Sequence, residues 1–404
     1  MVSNLYINHW VGNNWGVEGF AIFNLVKRIS SFFVFPLLVG AGIGIPRYIS
    51  FIKGDAKNSS YEYLLAGVAI FMASYAIFVG FITVFPSAIL KVFEESNISS
   101  ETIIISLLLF VFSQGLFVLL SAYYRGNIKI AEMSWLSILI MSLIPTLTLY
   151  CVSDVFTYYI YYGIFTIFLL IGIIGYLRLK NDTSIKRIQY KFFRLLRYGS
   201  PRVIGEIGLF SLEFLPVFLT GLYIGLEASG YLSMTLILLK LGAMSYELVG
   251  SLVLPYFGKL FKTEPVNIFV GKVNLYLLGG FAISIPLSVF FYFLIPVAID
   301  MFFPSLDKAT TFSQMVFFAF PIYSLYLLLR NVLDIVADRA YNSINLSVAV
   351  VLQLVFLFAG FYLHSPIVYS LFSLVVPYFG LGLLSYWVWI RRKKALLHKS
   401  VNLK

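Results

Sequence analysis

The sequence FTYYIYYGIFTIFLLIGIIGYL, residues 156–177, runs directly into RLKNDTSIKRIQYKFFRLLRYGS, residues 178–200. The first stretch carries no charged residue and is long enough to cross a bilayer, because a spanning helix needs about 20 apolar residues. The second stretch is strongly basic, and the positive-inside rule places such a segment on the cytoplasmic side. Together they predict a transmembrane helix that ends in the cytoplasm.

Ten further apolar segments of similar length occupy most of the 404 residues, and hydrophobic residues make up 60% of the chain against 12% charged. Strands are not expected, because the strands of an outer-membrane barrel alternate in short segments and these runs are continuously apolar. The sequence therefore predicts an all-α polytopic membrane protein with about eleven spans. They lie at residues 17–44, 61–85, 102–124, 134–152, 156–177, 203–223, 228–254, 273–295, 311–329, 345–363 and 367–390.

The positive charges alternate along the chain with the predicted spans. Of the 29 Lys and Arg residues, 24 lie in every second joint between spans or in the C-terminal tail. This pattern predicts a cytoplasmic C-terminus and an N-terminus outside. It also accounts for the net charge of +11 without a nucleic-acid partner.

The basic joint divides the predicted spans into two lobes. We predict an N-terminal lobe of about five spans at residues 1–177, a basic cytoplasmic linker at 178–202, a C-terminal lobe of about six spans at 203–390, and a basic cytoplasmic tail at 391–404. Within the linker, residues 185–198 are expected either as an amphipathic helix on the anionic leaflet or as a solvated segment.

The two lobes share a weak internal repeat. Residues 16–20 read GVEGF and residues 225–231 read GLEASGY, and each copy precedes a span that ends near a proline, Pro46 or Pro255. Both spans enclose a cation near their middle. Such a repeat is typical of two-lobed transporters, whose binding sites lie between the repeats.

The repeat also predicts that a helix is missing. A span at residues 203–223 precedes the second copy, whereas only residues 1–14 precede the first. The complete design would have twelve spans, and this chain is therefore expected to lack the first.

Three cations lie within predicted spans: Lys27, Arg28 and Lys240, with Asn24 one helical turn from the first two. A charge at the centre of a spanning helix costs at least about 2.5–3.5 kcal/mol, so it needs a cavity, a partner or a route to the interface. One interpretation is snorkelling or pairing with buried carboxylates. The other is a positive cavity for an anion such as phosphate, which Arg binds bidentately and Lys as a point charge.

Two carboxylates, Glu206 and Glu213, lie on one face of the sixth span. Glu206 is expected to form an ion pair with Arg202, and like Glu213 it is a candidate for binding a coupling ion. Glu213 is expected to pair with Lys240 or Arg28, or to bind the proton or cation that drives transport. The polar residues Ser113, Gln114, Gln314 and Gln353 are expected to hydrogen-bond between helices.

Signatures of catalysis do not stand out in the sequence. Cys151 is alone, the three His residues are far apart, and neither a Walker loop nor a dinucleotide glycine motif is present. We therefore expect no metal, no cofactor and no enzymatic activity.

Several short stretches carry a family resemblance: WGVEGF (residues 15–20), GAGIGIPRY (40–48), LRYGSP (196–201), GLEASGY (225–231) and LPYF (254–257). With these stretches and its layout, the chain resembles the polysaccharide (O-antigen type, Wzx-like) flippases of the MATE-like multidrug/oligosaccharidyl-lipid/polysaccharide exporter superfamily. The resemblance implies two helical bundles around a central cavity in the bacterial cytoplasmic membrane. The chain differs from the family in that the first helix is expected to be absent.

The resemblance also implies a function, which is moving an undecaprenyl-diphosphate-linked sugar repeat to the outer leaflet by alternating access. Lys27, Arg28 and Lys240 would then take the role of the family's cationic cavity residues. Candidate partners are the lipid-linked oligosaccharide, membrane lipid, a polysaccharide polymerase and a chain-length regulator. The alternatives are a multidrug exporter of the same architecture, a membrane glycosyltransferase or polysaccharide polymerase, and a non-catalytic scaffold.

Overall fold

The computed structural model describes residues 2–50, 57–94, 98–181, 183–336, 341–363 and 366–401. Within these ranges the chain is almost entirely helical and contains no β-strand. Eleven of the helical stretches described are long and apolar enough to cross a membrane. The predicted all-α polytopic membrane fold is therefore confirmed.

The chain divides into two compact units, Met1–Phe210 and Ser211–Lys404. The boundary falls inside one helix, which begins in the first unit and ends in the second. The helices of the first unit are α1 (Val2–Leu37), α2 (Ala41–Ser50), α3 (Lys57–Val84), α4 (Ser87–Leu90), α5 (Ser100–Gly126), α6 (Ile130–Ile138), α7 (Ile144–Leu149), α8 (Val155–Leu179), α9 (Ile185–Gly199) and the start of α10 (Val203–Tyr223).

The second unit contains the rest of α10 and five long helices. These are α11 (Leu226–Thr263), α12 (Val266–Phe302), α13 (Ala309–Val336), α14 (Tyr341–Tyr362) and α15 (Pro366–Val401). In this unit α13 packs against α11, α12 and α15. A π-helical turn, Leu139–Leu143, joins α6 to α7, so that these two helices together form the fourth predicted span.

The helix α1 is a hairpin rather than a rod, because the chain reverses at Gly16 (φ 67°, ψ −168°). The Lys27 ammonium lies 2.8 Å from the side-chain oxygen of Asn4, and the Asn24 amide lies 3.1 Å from that of Asn8. On a straight helix these pairs would be about 35 Å and about 24 Å apart. A short helical arm, residues 2–15, therefore lies antiparallel to the first predicted span. The sequence predicted that the helix before the first span is missing. The structure has a helix at this place, but it is shorter than the roughly 20 residues of a full span.

A second reversal lies between α10 and α11. Gly225 has a φ of 125°, and the Ser229 hydroxyl donates a hydrogen bond to the Val217 carbonyl across the turn at 3.0 Å. Positive φ values of this kind favour glycine, which has no Cβ to clash with the backbone. Each copy of the predicted repeat thus begins at a glycine that reverses the chain between two antiparallel helices.

Buried polar side chains fix several helix contacts. Gln114 donates to the Tyr162 hydroxyl at 3.3 Å, Gln314 to the Tyr292 carbonyl at 3.0 Å, and Gln353 to the Leu212 carbonyl at 2.9 Å. The interhelical role predicted for these three residues is confirmed. The prediction for Ser113 was wrong, because its hydroxyl bonds the Phe110 carbonyl of its own helix at 2.8 Å.

The linker between the predicted lobes contains a folded helix, α9, packed on α2 and α3. Its C-terminal end approaches the break between α1 and α2 so closely that a Cβ on Gly199 would lie 1.8 Å from the Val39 carbonyl oxygen. A Cβ on Gly44 would lie 2.8 Å from the Leu195 side chain. Small residues on both helices therefore permit this packing, as in other close helix crossings. Of the two interpretations of residues 185–198, the structure shows a helix.

Candidate substrate-binding site

The first unit places a row of polar side chains inside the α1 hairpin. Lys27 donates to the Asn4 side chain at 2.8 Å, Asn8 donates to the Asn4 carbonyl at 2.7 Å, and Asn24 donates to the Asn8 side chain at 3.1 Å. Asn8 and Asn24 are buried, with 1% and 3% of their surface exposed. Lys27 and Asn24 thus belong to one hydrogen-bonded row.

Two further polar residues, Arg28 and Ser31, follow Lys27 on the same helix. Arg28, the next residue after Lys27, is 9% exposed, and Ser31 bonds the Lys27 carbonyl of its own helix at 2.9 Å. Asn4 and Asn8 are the site residues that the sequence interpretation missed. Their spacing of four residues on a helix, opposite Asn24 and Lys27 across Gly16, is the signal that would have revealed them.

The second unit holds its mid-span cation against a carboxylate. The Lys240 ammonium of α11 lies 2.6 Å from the Glu213 carboxylate of α10. The side chains remain 60% and 24% exposed. Of the alternatives predicted for Glu213, pairing with Lys240 is the one observed. Farther along α11, Glu247 lies 3.9 Å from the Arg330 guanidinium of α13.

The two hairpins have the partner of the lysine at the same distance from the reversing glycine. Asn4 and Glu213 each lie 12 residues before the reversing glycine of their hairpin. Lys27 lies 11 residues after Gly16, and Lys240 lies 15 residues after Gly225, a difference of about one helical turn. Each unit therefore places a lysine beside a polar partner that lies 12 residues before the glycine, an amide in the first unit and a carboxylate in the second.

The exposed surface of α11 differs from that of α12. In α11, 67% of the most apolar window is buried, and the exposed positions include Lys240, Ser245 and Glu247. In α12 only 22% is buried, and the exposed positions include Leu275 and Phe293. The apolar surface of α12 suits contact with lipid. The charged side chains of α11 would be costly in contact with lipid and suit contact with water.

Glu206 lies on the part of α10 that belongs to the first unit. It lines a cavity of about 270 Å³ in the first unit, together with Arg125 and mainly apolar side chains. Arg125 donates to the Gly42 carbonyl at 3.0 Å. The side chain of Arg202 lies outside the described residues, so its predicted ion pair with Glu206 stays a prediction.

Similarity to solved structures concerns the fold. A multidrug resistance MATE family transporter of the MOP superfamily in an inward-facing conformation aligns with a TM-score of 0.80 at 12% identity, covering 98% of this chain and 95% of that one. A MATE structure in the straight conformation aligns with a TM-score of 0.61 at 14% identity, covering 98% and 93%. An outward-facing multidrug resistance MATE family transporter of the MOP superfamily aligns with a TM-score of 0.60 at 13% identity, covering 98% and 92%.

The chain has the MATE fold. At these identities the likeness concerns architecture alone. No family model matches the sequence, and no curated protein is similar to it at the sequence level.

A second charged group, outside the mid-span sites of this MATE fold, was missed in the sequence. Glu62 of α3 is 0% exposed and lies 2.6 Å from Lys191 and 3.1 Å from Arg187, both on α9. The backbone N–H of Ser184 also donates to it at 3.3 Å. Glu62, Arg187 and Lys191, here called the Glu62 cluster, fasten α9 to the bundle.

Aromatic rings complete the contact of α9 with the bundle. Lys191 lies over the Tyr63 ring at 4.8 Å, and Arg194 lies over the Tyr48 ring at 4.4 Å. Burial lowers the pKa of the Lys191 ammonium from its usual 10.5, while the Glu62 carboxylate opposes that shift. The charged side chains of α9 therefore help to pack it against the bundle. Some of the basic residues that were expected to contact a lipid surface instead contact aromatic rings within the protein.

Proposed function

We propose that this chain is a membrane transporter that moves a polyprenyl-diphosphate-linked oligosaccharide across the bacterial cytoplasmic membrane by alternating access. The single observation that carries the proposal is the lysine held at mid-span in each of two corresponding hairpins. The MATE fold supports the transport part, because structures with this fold include inward-facing and outward-facing transporters.

The substrate class follows from the chemistry of the two sites. Lys27, Arg28 and Lys240 supply positive charge at a depth where an uncharged helix would be cheaper. A diphosphate carries the opposite charge and enough oxygen atoms to accept several charge-assisted hydrogen bonds. The amides of Asn4 and Asn24 offer both donors and acceptors, which suit the hydroxyls of a sugar.

In the proposed cycle the diphosphate contacts these cations, the sugar occupies an aqueous space, and the lipid tail stays in the bilayer. Glu206 and Glu213 remain the predicted candidates for binding a coupling ion. A polysaccharide polymerase and a chain-length regulator remain predicted partners.

A multidrug exporter of the same fold is the second candidate. The carboxylates of Glu213 and Glu247 favour it, because cationic drugs need negative charge. Each of them, however, lies close to a cation in this structure, Lys240 or Arg330. A drug-susceptibility panel on cells expressing the protein separates the two functions, since only an exporter raises resistance.

The proposal is tested by complementation of a strain that lacks its polysaccharide flippase. Lys27→Glu, Arg28→Glu and Lys240→Glu should each lower surface polysaccharide by at least about tenfold at unchanged protein level, because each places a negative charge against the diphosphate. Lys308→Glu is the matched control, since Lys308 is an exposed lysine that pairs with Glu227 at 3.2 Å outside the two sites. Full complementation by the three site variants would reject the proposed function.

A further inference from the structure

The lysine of the second hairpin has a competitor built beside it. Glu213 occupies the position that Asn4 occupies in the first hairpin, 12 residues before the reversing glycine. Asn4 contributes no charge to Lys27, whereas Glu213 places a carboxylate 2.6 Å from Lys240. An anion that approaches Lys240 therefore meets a negative group already bound to it.

The pair is built so that it can open. The Lys240 side chain is 60% exposed and that of Glu213 is 24% exposed, and a pair of this kind that faces an aqueous space contributes little to stability, because water solvates the partners when they separate. The backbone beside Glu213 is held in place, since the buried side chain of Gln353 on α14 donates to the Leu212 carbonyl at 2.9 Å. The side chain of Glu213 can leave Lys240 while α10 stays where it is.

Two other contacts in the second unit do not involve the side chains of Glu213 or Lys240. Glu247 on α11 lies 3.9 Å from Arg330 on α13. Tyr323 of α13 packs edge-on against Tyr378 of α15, with the ring centres 4.7 Å apart. Substitution of Glu213 therefore changes the charge at Lys240 without breaking these contacts.

We propose that Glu213 competes with the anionic substrate for Lys240, so that the second hairpin binds the diphosphate only when this carboxylate leaves. The inference rests on the proposed function and adds a division of labour to it. The first hairpin presents Lys27 beside a neutral amide. The second presents a lysine that is paired with Glu213 at rest. The pair forms again when the anion departs, which favours release of the substrate.

The test removes the carboxylate from the second hairpin and adds one to the first. The affinity of the purified protein for farnesyl diphosphate is measured in detergent, and farnesol is the uncharged control ligand. Glu213→Gln should bind farnesyl diphosphate at least about tenfold more tightly than the wild type, because the competing charge is gone. Asn4→Asp should weaken binding by a similar factor, because it gives Lys27 the same competitor. Glu247→Gln is the matched control and should leave the affinity unchanged.

A second background keeps the test specific. With Lys240→Met, the substitution Glu213→Gln should no longer raise the affinity, because no lysine remains to be unmasked. Glu213→Ser serves as the second variant if Glu213→Gln does not fold. An affinity of either Glu213 variant equal to or below that of the wild type overturns the inference. Equal binding by the wild type and Lys27→Glu overturns the proposed function instead, so the two failures are distinct.

Discussion

Two glutamate–lysine pairs in this molecule have the same separation of 2.6 Å and opposite surroundings. Glu62 and Lys191 join α3 to α9, with side chains 0% and 9% exposed. Glu213 and Lys240 join α10 to α11, with side chains 24% and 60% exposed. Distance alone would give the two pairs the same role.

The surroundings give the pairs different roles. Glu62 also forms an ion pair with Arg187 and accepts a hydrogen bond from the Ser184 backbone, so protein groups take the place of water around its carboxylate. Removing one partner of a buried pair leaves an uncompensated charge, which is far more costly than opening an exposed pair. The buried pair therefore fastens the fold, whereas the partly exposed pair can exchange partners.

The largest effect is expected for Glu62→Gln. This change leaves Lys191 and Arg187 facing a neutral amide, and we expect the free energy of unfolding to fall by about 3–5 kcal/mol. Thermal unfolding of the purified protein in detergent measures the loss. Glu264→Gln is the control, because Glu264 pairs with Lys272 at 3.8 Å with both side chains exposed. Equal stability of Glu62→Gln and the control would show that burial does not distinguish the pairs.

The second-largest effect on stability is expected for Gly199→Ala, which disturbs the packing of α9 at its backbone contact with Val39. The new Cβ would lie 1.8 Å from the Val39 oxygen, so α9 must shift at a cost of about 1–3 kcal/mol. The same unfolding assay measures it. Gly175→Ala on α8, where a Cβ meets no atom within 4 Å, is the matched control. Identical melting temperatures would contradict the close packing of α9.

A smaller effect is expected from the charge of Lys191, and the pH dependence of stability measures it. The lowered pKa of Lys191 means that the folded protein releases this proton at a lower pH than the unfolded chain, whose pKa is near 10.5. The contribution of Lys191 to stability should therefore increase as the pH rises toward that value. Unfolding of the wild type and Lys191→Met is compared across neutral to alkaline pH. A difference that shrinks in this range would have the wrong sign for a buried ammonium.

The smallest effect on stability is expected for Lys240→Met. Because the pair is only partly buried, the free energy of unfolding should change by no more than about 1 kcal/mol. Complementation of a flippase-deficient strain, in contrast, should be lost. A melting temperature as low as that of Glu62→Gln would make Lys240 a fastening residue and remove the difference between the two pairs.

The sequence predicted most of the framework because apolar length and charge alternation are local signals. The sixth span, predicted at residues 203–223, coincides with Val203–Tyr223, and both copies of the predicted repeat begin at a glycine where the structure reverses the chain. The pairing of Glu213 with Lys240 was among the alternatives. These features depend on neighbours within one hairpin.

The Glu62 cluster could not be predicted in the same way. Its partners lie 122 to 129 residues from Glu62 along the chain, and in sequence they belong to a linker whose basic residues already had an explanation. Asn4 and Asn8 were missed for a different reason. Their arm is shorter than a membrane span, so the length criterion that found the other helices did not apply to it.

The docking of α9 also determines where foreign sequence can enter the chain. Thr183 lies before the first turn of α9, so a peptide tag placed there leaves the contacts of Leu195 and Gly199 intact. The same tag placed directly after Gly199 would have to pass the point where this glycine touches Val39. An affinity handle or a fluorescent reporter is therefore better placed before α9 than after it, with the backbone of Ser184 kept free to bond Glu62.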